Sequence, residues 1–280
     1  MLRKLVVALT FAVFCTNAHA KPSIQPLEDV VMHPQRYIDS VNISGKEQID
    51  CNYIKNRNNF VIFASGQSLI ANTNGNFPWE RTIPRNVYEQ WGALCYKANA
   101  PLYGASDTMQ SFVLLLAEYI ARATTKDVVI NMAAIGGTPV GEFIHGTANS
   151  LLITQLHNMK QAGFLPDLVI WEHGQADIGR QSGQYAADVK AVIGIFRQNG
   201  VTAPIFVPTD TTVNWSADEA LRQEQQSIQG FENVFPGPDI DLVRYRYDGT
   251  HLGQKGLEIQ AAMWFQALDQ HFHWHSRPAK

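Results

Sequence analysis

The chain lacks the features that mark several protein classes. Only 17% of its 280 residues are charged, its net charge is −3, and no stripe of lysine or arginine runs through it. That argues against nucleic acid as a partner. Beyond residues 5–14 it has no long apolar run, and that run is too short to cross a bilayer comfortably. It has no internal repeat and no low-complexity tract. It has three cysteines. With 45% hydrophobic residues the composition is that of an ordinary globular protein, and the length suits one large domain or two small ones.

The N-terminus reads as a processing segment. Arg3 and Lys4 precede the apolar run, and Ala18-His19-Ala20 is a small-x-small cleavage site. Residues 1–20 are therefore expected to be a secretory signal peptide, with an exported chain, periplasmic or secreted, that starts at Lys21. Cys15 follows the bulky Phe14, which argues against a lipoprotein. No membrane span is expected after cleavage. Cys51 and Cys95 then remain, either as one disulfide of an oxidising compartment or as two buried thiols.

Residues 21–59 are polar and contain Pro22, Pro26 and Pro34, which suggests an N-terminal extension lying on the domain. From residue 60 to 270 strand and helix signals alternate. Short apolar runs at 60–64, 128–133, 168–171, 205–207 and 242–243 predict five strands. Helical spacing predicts helices over 107–123, capped by Ser106 or Asp107, and over 147–162, 184–198, 217–229 and 256–270. Residues 72–106 read as a long loop with a short helix near Tyr88. Alternation with continuous apolar strands implies an α/β fold, a parallel sheet covered on both faces, with its ligand beyond the carboxyl ends of the strands.

Four motifs fall at those ends: Ser65-Gly66-Gln67-Ser68, Ile135-Gly136-Gly137-Thr138, Trp171-Glu172-His173-Gly174-Gln175-Ala176-Asp177 and Asp248-Gly249-Thr250-His251. A serine hydroxyl needs a base to become a nucleophile. Ser68 in a strand-end turn, with a helix behind it, is placed to attack. His251 can serve as base and then acid, and Asp248 can fix its tautomer. The Gly136-Gly137 turn lets backbone N–H groups approach an oxyanion. Each motif alone is common. Their order at successive strand ends gives them weight.

These motifs resemble the SGNH (GDSL-like) hydrolases, and within them the sialate O-acetylesterase-like carbohydrate acetylesterases. The likeness runs from about residue 60 to 265 and is carried by Gly66-Gln67-Ser68, Gly136-Gly137-Thr138, Trp171 to Asp177, Leu221-Arg222-Gln223-Glu224-Gln225 and Asp248 to His251. It implies a three-layer α/β/α sandwich with a five-stranded parallel sheet (the flavodoxin-like SGNH fold). It implies Ser68, His251 and Asp248 as the triad, and the N–H groups of Ser68 and Gly136 as oxyanion donors. Gly136 is preferred to Gly137 because it lies five residues after Asn131. In the wider family the third motif supplies an Asn donor, but here Ala176 stands there. His173 or Gln175 are the candidates to replace it, and His173 can equally be a buried structural residue.

Gln67, Gly137, Thr138 and Trp215 are candidate substrate contacts. Trp79, Trp91 and Trp215 offer aromatic faces for a sugar or anchor the loops that carry them. Asp210 ends the fourth strand, toward the crevice or as a turn residue. His271, His273 and His275 alternate, which suits a metal less than a loose surface tract. The expected reaction is ester hydrolysis without cofactor or metal, on an acetylated glycan or another small ester. Rival readings are a lipid esterase, thioesterase or acetyltransferase with the same triad, and a glycan-binding protein without turnover.

Overall fold

The computed structural model describes residues 46–75 and 82–274. The signal segment, most of the N-terminal extension, Trp79 and residues 275–280 of the tail lie outside them. The described residues form eight strands: β1 (Gln48–Ile49), β2 (Asn59–Gly66), β3 (Val87–Trp91), β4 (Leu94–Lys97), β5 (Asp127–Ala134), β6 (Leu168–Glu172), β7 (Ile205–Thr209) and β8 (Val234–Asp239). The seven α-helices are α1 (Cys51–Lys55), α2 (Phe112–Thr124), α3 (Glu142–His145), α4 (Thr147–Gln161), α5 (Gln184–Gln198), α6 (Glu219–Ser227) and α7 (Gln254–Phe272).

The strands make one sheet in the order β1-β4-β3-β5-β2-β6-β7-β8. From β3 to β8 every pairing is parallel, and β4 and β1 add an antiparallel edge. The class is the expected α/β sandwich, but the expected five strands are a miscount. The residues read as a loop with a helix near Tyr88 contain the hairpin β3–β4, which turns on Gly92, at φ +58°, and Ala93. The strand expected at 242–243 is the 3₁₀ turn Ile240–Leu242, and the true strand is β8. Its Val234-Phe235-Pro236-Gly237-Pro238 reads as a loop, yet proline is tolerated on an edge strand, where one row of N–H groups has no partner strand.

Period-two alternation fills the two layers. Phe60, Ile62 and Ala64 of β2 and Val128, Ile130 and Met132 of β5 pack against α2 and α7. Val61, Phe63 and Val129 pack against α4 and α5 on the other face. Helix α2 begins later than expected. Its cap is Ser111, whose Oγ accepts the Val113 N–H at 3.2 Å, so neither Ser106 nor Asp107 caps it. No α-helix directly follows Ser68, either. Residues 68–73 make a run of turns instead.

Residues 46–59 pack on the sheet. Strand β1 pairs with β4, and a disulfide joins Cys51 of α1 to Cys95 of β4. The bond closes a separation of 44 residues, for which chain entropy gives up to about 4 kcal/mol of stabilisation. A Cys51→Ser/Cys95→Ser variant is expected to lose about 2–4 kcal/mol in urea unfolding and to keep its turnover, because the bond lies on the β1–β4 edge and the motif turns at the ends of β2, β5 and β6. An unchanged unfolding midpoint would contradict this.

Candidate active site

Strand β2 delivers the Ser68 turn. Gly66, at φ +144°, lies so near β6 that a β-carbon on it would sit 1.9 Å from the Glu172 carbonyl oxygen. Only glycine fits there. The next N–H, of Gln67, donates to that same carbonyl at 3.1 Å. Ser68 itself is only 7% exposed.

The Asp248–His251 loop is laced to this turn. The Tyr247 hydroxyl donates to Thr73 O at 2.9 Å, the Leu252 N–H to Asn74 Oδ1 at 2.9 Å, and the Gly75 N–H to Leu252 O at 2.8 Å. The Thr73 hydroxyl in turn bonds to Ser68 O. His251 Nδ1 lies 2.7 Å from Asp248 Oδ2, while Asp248 Oδ1 accepts the N–H groups of His251 and Thr250 at 2.7 and 2.9 Å. Partial burial opposes ionisation of Asp248, but the bonds from the His251 ring and these N–H groups outweigh it and hold its pKa below the usual carboxylate value. The Tyr247 ring stacks on His251 with centroids 5.9 Å apart. Among the described residues no hydrogen bond joins His251 to Ser68 Oγ; catalytic contacts of this kind are often long until substrate binds.

The candidate oxyanion donors divide. The N–H groups of Ser68 and Gly137 make no hydrogen bond among the described residues. The Gly136 N–H donates to Ser106 Oγ at 2.8 Å, and the Ser106 hydroxyl donates to Asp107 Oδ2 at 2.8 Å. Gly136, the preferred donor, is therefore engaged within the protein, and an oxyanion must displace or share that hydroxyl. Sequence reasoning missed Ser106 because its importance depends on contact across 30 positions.

No protein-family model and no curated protein sequence matches this chain. Solved structures do. A protein from Arabidopsis thaliana, 17% identical, superposes with a TM-score of 0.66 over 77% of this chain and 99% of its own. A carbohydrate acetylesterase from Xanthomonas citri, 14% identical, gives 0.54 over 75% of this chain and 56% of its own. A two-domain esterase active on acetylated mannans, 13% identical, gives 0.53 over 81% and 54%. This chain thus spans little more than half the length of the last two. It has the fold of the SGNH-type hydrolases.

Within this SGNH fold the third motif corrects one expectation. His173 is wholly buried and is no oxyanion donor. Its ring stacks between Trp171 and Tyr185, at 5.3 and 5.9 Å. Its Nε2 lies 2.8 Å from Thr138 O. A carbonyl only accepts, so the proton sits on Nε2 and Nδ1 is bare, 3.7 Å from Asp177. Burial pulls its pKa down to about 4, against the opposing pull of Asp177 and the Thr138 bond. Asp177 has other partners: the Val140 N–H at 2.9 Å and Arg180 at 2.6 Å.

The other expected contacts fall in different places. Gln67 is buried, with its amide turned to Gln175 and to the Ala176 N–H rather than to a ligand. Thr138 is buried as well, its hydroxyl 3.5 Å from Gly136 O. Gly137 has open space where a side chain would stand. Gln175 donates to Asp210 Oδ1 at 2.6 Å. Trp215 is 58% exposed and its indole packs on Gly249, beside the Asp248–His251 loop. Trp91 packs against the core. The His271 ring rests on Phe206 and Phe235, and among the described residues no group of three or more His, Cys, Asp or Glu could hold a metal. No helix of the described residues is long and apolar enough to cross a membrane.

A neutral structural His173 has a pH signature. His173→Phe keeps a ring in the stack but loses the Thr138 bond, worth about 1 kcal/mol at neutral pH. As pH falls from 6.5 toward about 4, the unfolded chain takes up a proton that the buried ring refuses. The wild type therefore loses stability across that window, on the order of 3 kcal/mol, and the variant does not. Urea unfolding at pH 7.5, 6 and 4.5 is expected to show the wild-type advantage shrinking and then reversing, with the variant's turnover at pH 7.5 within a few-fold of wild type. A pH-independent difference would contradict the assignment.

Proposed function

We propose that this chain is an exported serine esterase that removes acetyl groups from a carbohydrate. The observation that carries the reading is the 2.7 Å pairing of His251 Nδ1 with Asp248 on a loop tied by three hydrogen bonds to the Ser68 turn. With Asp248 holding the Nδ1 proton, Nε2 is free to accept the proton of Ser68 as its oxygen bonds to the ester carbonyl. The oxyanion then meets the Ser68 N–H. His251 passes its proton to the leaving sugar oxygen, and water repeats the sequence to release acetate. No step calls for a cofactor.

The substrate class rests on two supports. The exposed Trp215 face stands beside the base, where an apolar sugar face can pack. The similar structures include a carbohydrate acetylesterase and an esterase active on acetylated mannans. Export is supported by the leader-like N-terminus and by the Cys51–Cys95 bond, which suits an oxidising compartment.

Ser68→Ala removes one oxygen from a small buried side chain and is expected to keep the fold. Turnover of p-nitrophenyl acetate should fall on the order of a thousandfold or more. Substantial activity in a clean preparation of this variant would sink the reading. A panel of acetylated glycans against longer acyl esters tests the substrate, and preference for the long acyl chains would favour a lipid esterase. N-terminal sequencing of the exported protein should begin at Lys21. A retained Met1 would contradict export by cleavage.

A further inference from the structure

A one-way chain of hydrogen bonds runs beside the Ser68 turn. The Ala176 N–H donates to Gln67 Oε1 at 3.2 Å. The Gln67 amide nitrogen donates to Gln175 Oε1. The Gln175 amide nitrogen donates to Asp210 Oδ1 at 2.6 Å. Both ends fix its direction. A backbone N–H only donates, so Gln67 turns its oxygen to Ala176 and its nitrogen to Gln175. A carboxylate accepts, so Gln175 turns its nitrogen to Asp210. Neither amide can flip without setting two like groups against each other.

Asp210 is well held for this task. It is wholly buried at the end of β7, its N–H donating to Gln225 Oε1 at 2.9 Å and its carbonyl accepting from Gln225 Nε2 at 3.0 Å. Its second oxygen, Oδ2, is enclosed without a hydrogen-bond partner among the described residues. Helix α6 therefore clamps the residue that clamps Gln175. The Gln175 amide has two hydrogens. One goes to Asp210. The other has no partner among the described residues, and Gln175, unlike Gln67, is only half-buried. Gln67 adjoins Ser68, so the whole chain is fixed to the nucleophile's own backbone.

We propose that Asp210 is a positioning residue for the oxyanion hole, setting the Gln175 amide so that its second N–H meets the oxyanion formed at Ser68. Gln175 then supplies the side-chain donor that Ala176 cannot. The proposal rests on the Ser68 esterase reading.

A double-mutant cycle in the full chain tests it, with p-nitrophenyl acetate as substrate and thermal unfolding as the fold control. Gln175→Ala is expected to lower kcat about a hundredfold with KM changed less than about threefold, because the donor meets charge that develops after binding. Asp210→Ala should lower kcat about tenfold to a hundredfold with the same split. Asp210→Asn keeps an acceptor oxygen and should return kcat to within a few-fold of wild type. In the Gln175→Ala background Asp210→Ala should cost nothing more, since it acts only through that amide. A merely structural Asp210 would multiply its effect in that background, and that result would overturn the proposal. So would a Gln175→Ala enzyme with kcat near wild type. If Asp210→Ala does not fold, Asp210→Leu, which fills the space without an acceptor, takes its place in the cycle and is expected to give the same pattern. Ser68→Ala separates the two levels: activity that survives it overturns the esterase reading, whereas activity lost there but kept in Gln175→Ala overturns only the present proposal.

Discussion

Gly66 brings three strand ends to one point. Its carbonyl accepts the Ile135 N–H at 3.0 Å from the end of β5, while its α-carbon and the Gln67 N–H press on the Glu172 carbonyl at the end of β6. The turns that carry Ser68, Gly136 and Gln175 all leave from there. A side chain at Gly66 would have to push β6 away, since a β-carbon 1.9 Å from an oxygen has no room to relax against backbone. Every spacing in the crevice would widen with it. The sheet does more than support the site here, because the contact that closes the sheet between β2 and β6 also sets the distances between the motifs.

That closure buries two carboxyl groups beneath the Ser68 turn. Glu172 accepts from Gln260 and, at 2.8 Å, from the Trp264 indole, both on α7. Burial pushes the pKa of the Glu172 carboxyl up, and the nearby Asp210 pushes it further. Burial pushes Asp210 up too, while Arg246 and the Gln175 bond draw it back. An uncompensated buried carboxylate is costly, so a cation is needed close by. Arg246 supplies it and has a second task. Its guanidinium also donates to the carbonyls of Val243, Ile240 and Thr250, at 3.2 and 2.9 Å for the first two. The loop that carries Asp248 and His251 is therefore folded around the cation that faces the buried Glu172 and Asp210 carboxyl groups. Floor and loop are one electrostatic unit.

Much of this was legible in the sequence, and the failures have physical causes. The parallel strands β2, β5, β6 and β7 were readable because strands buried on both faces are continuous apolar runs. Helix α5 was readable to the residue, and three of the four motifs lie at the ends of β2, β5 and β6, while the fourth lies on a loop beyond β8. The hairpin β3–β4 was not, because Glu89 breaks its apolar pattern. That carboxylate is buried against Lys46 and the Tyr103 N–H, both far away in sequence. The Gly92 turn was the one available signal. The orientation of His173 was available as well. Val169 and Trp171 alternate toward the α4–α5 layer, and two residues beyond Trp171 the parity holds, which turns His173 into that layer and away from the crevice. The commitment of Gly136 to Ser106 was not legible, since no local pattern joins a residue to a turn 30 positions away.

On the Ser68 esterase reading, the same Ser106–Asp107 pair gives a side-chain donor its importance. Asp107, held at φ +71°, places its Oδ2 3.2 Å from where a β-carbon on Gly136 would lie, and Ser68 Cβ is 3.6 Å from that same point. A carboxylate thus stands beside Gly136 and Ser68, where the proposed oxyanion would form. A like charge nearby opposes a developing anion, though water screens the exposed Asp107. One oxyanion donor is worth about 3–4 kcal/mol. The two effects have opposite sign. With the Gly136 N–H already engaged and Asp107 beside it, backbone donors alone would leave the developing anion poorly stabilised. The N–H proposed for Gln175, whose amide is held by Gln67 and Asp210, would offset the field of Asp107.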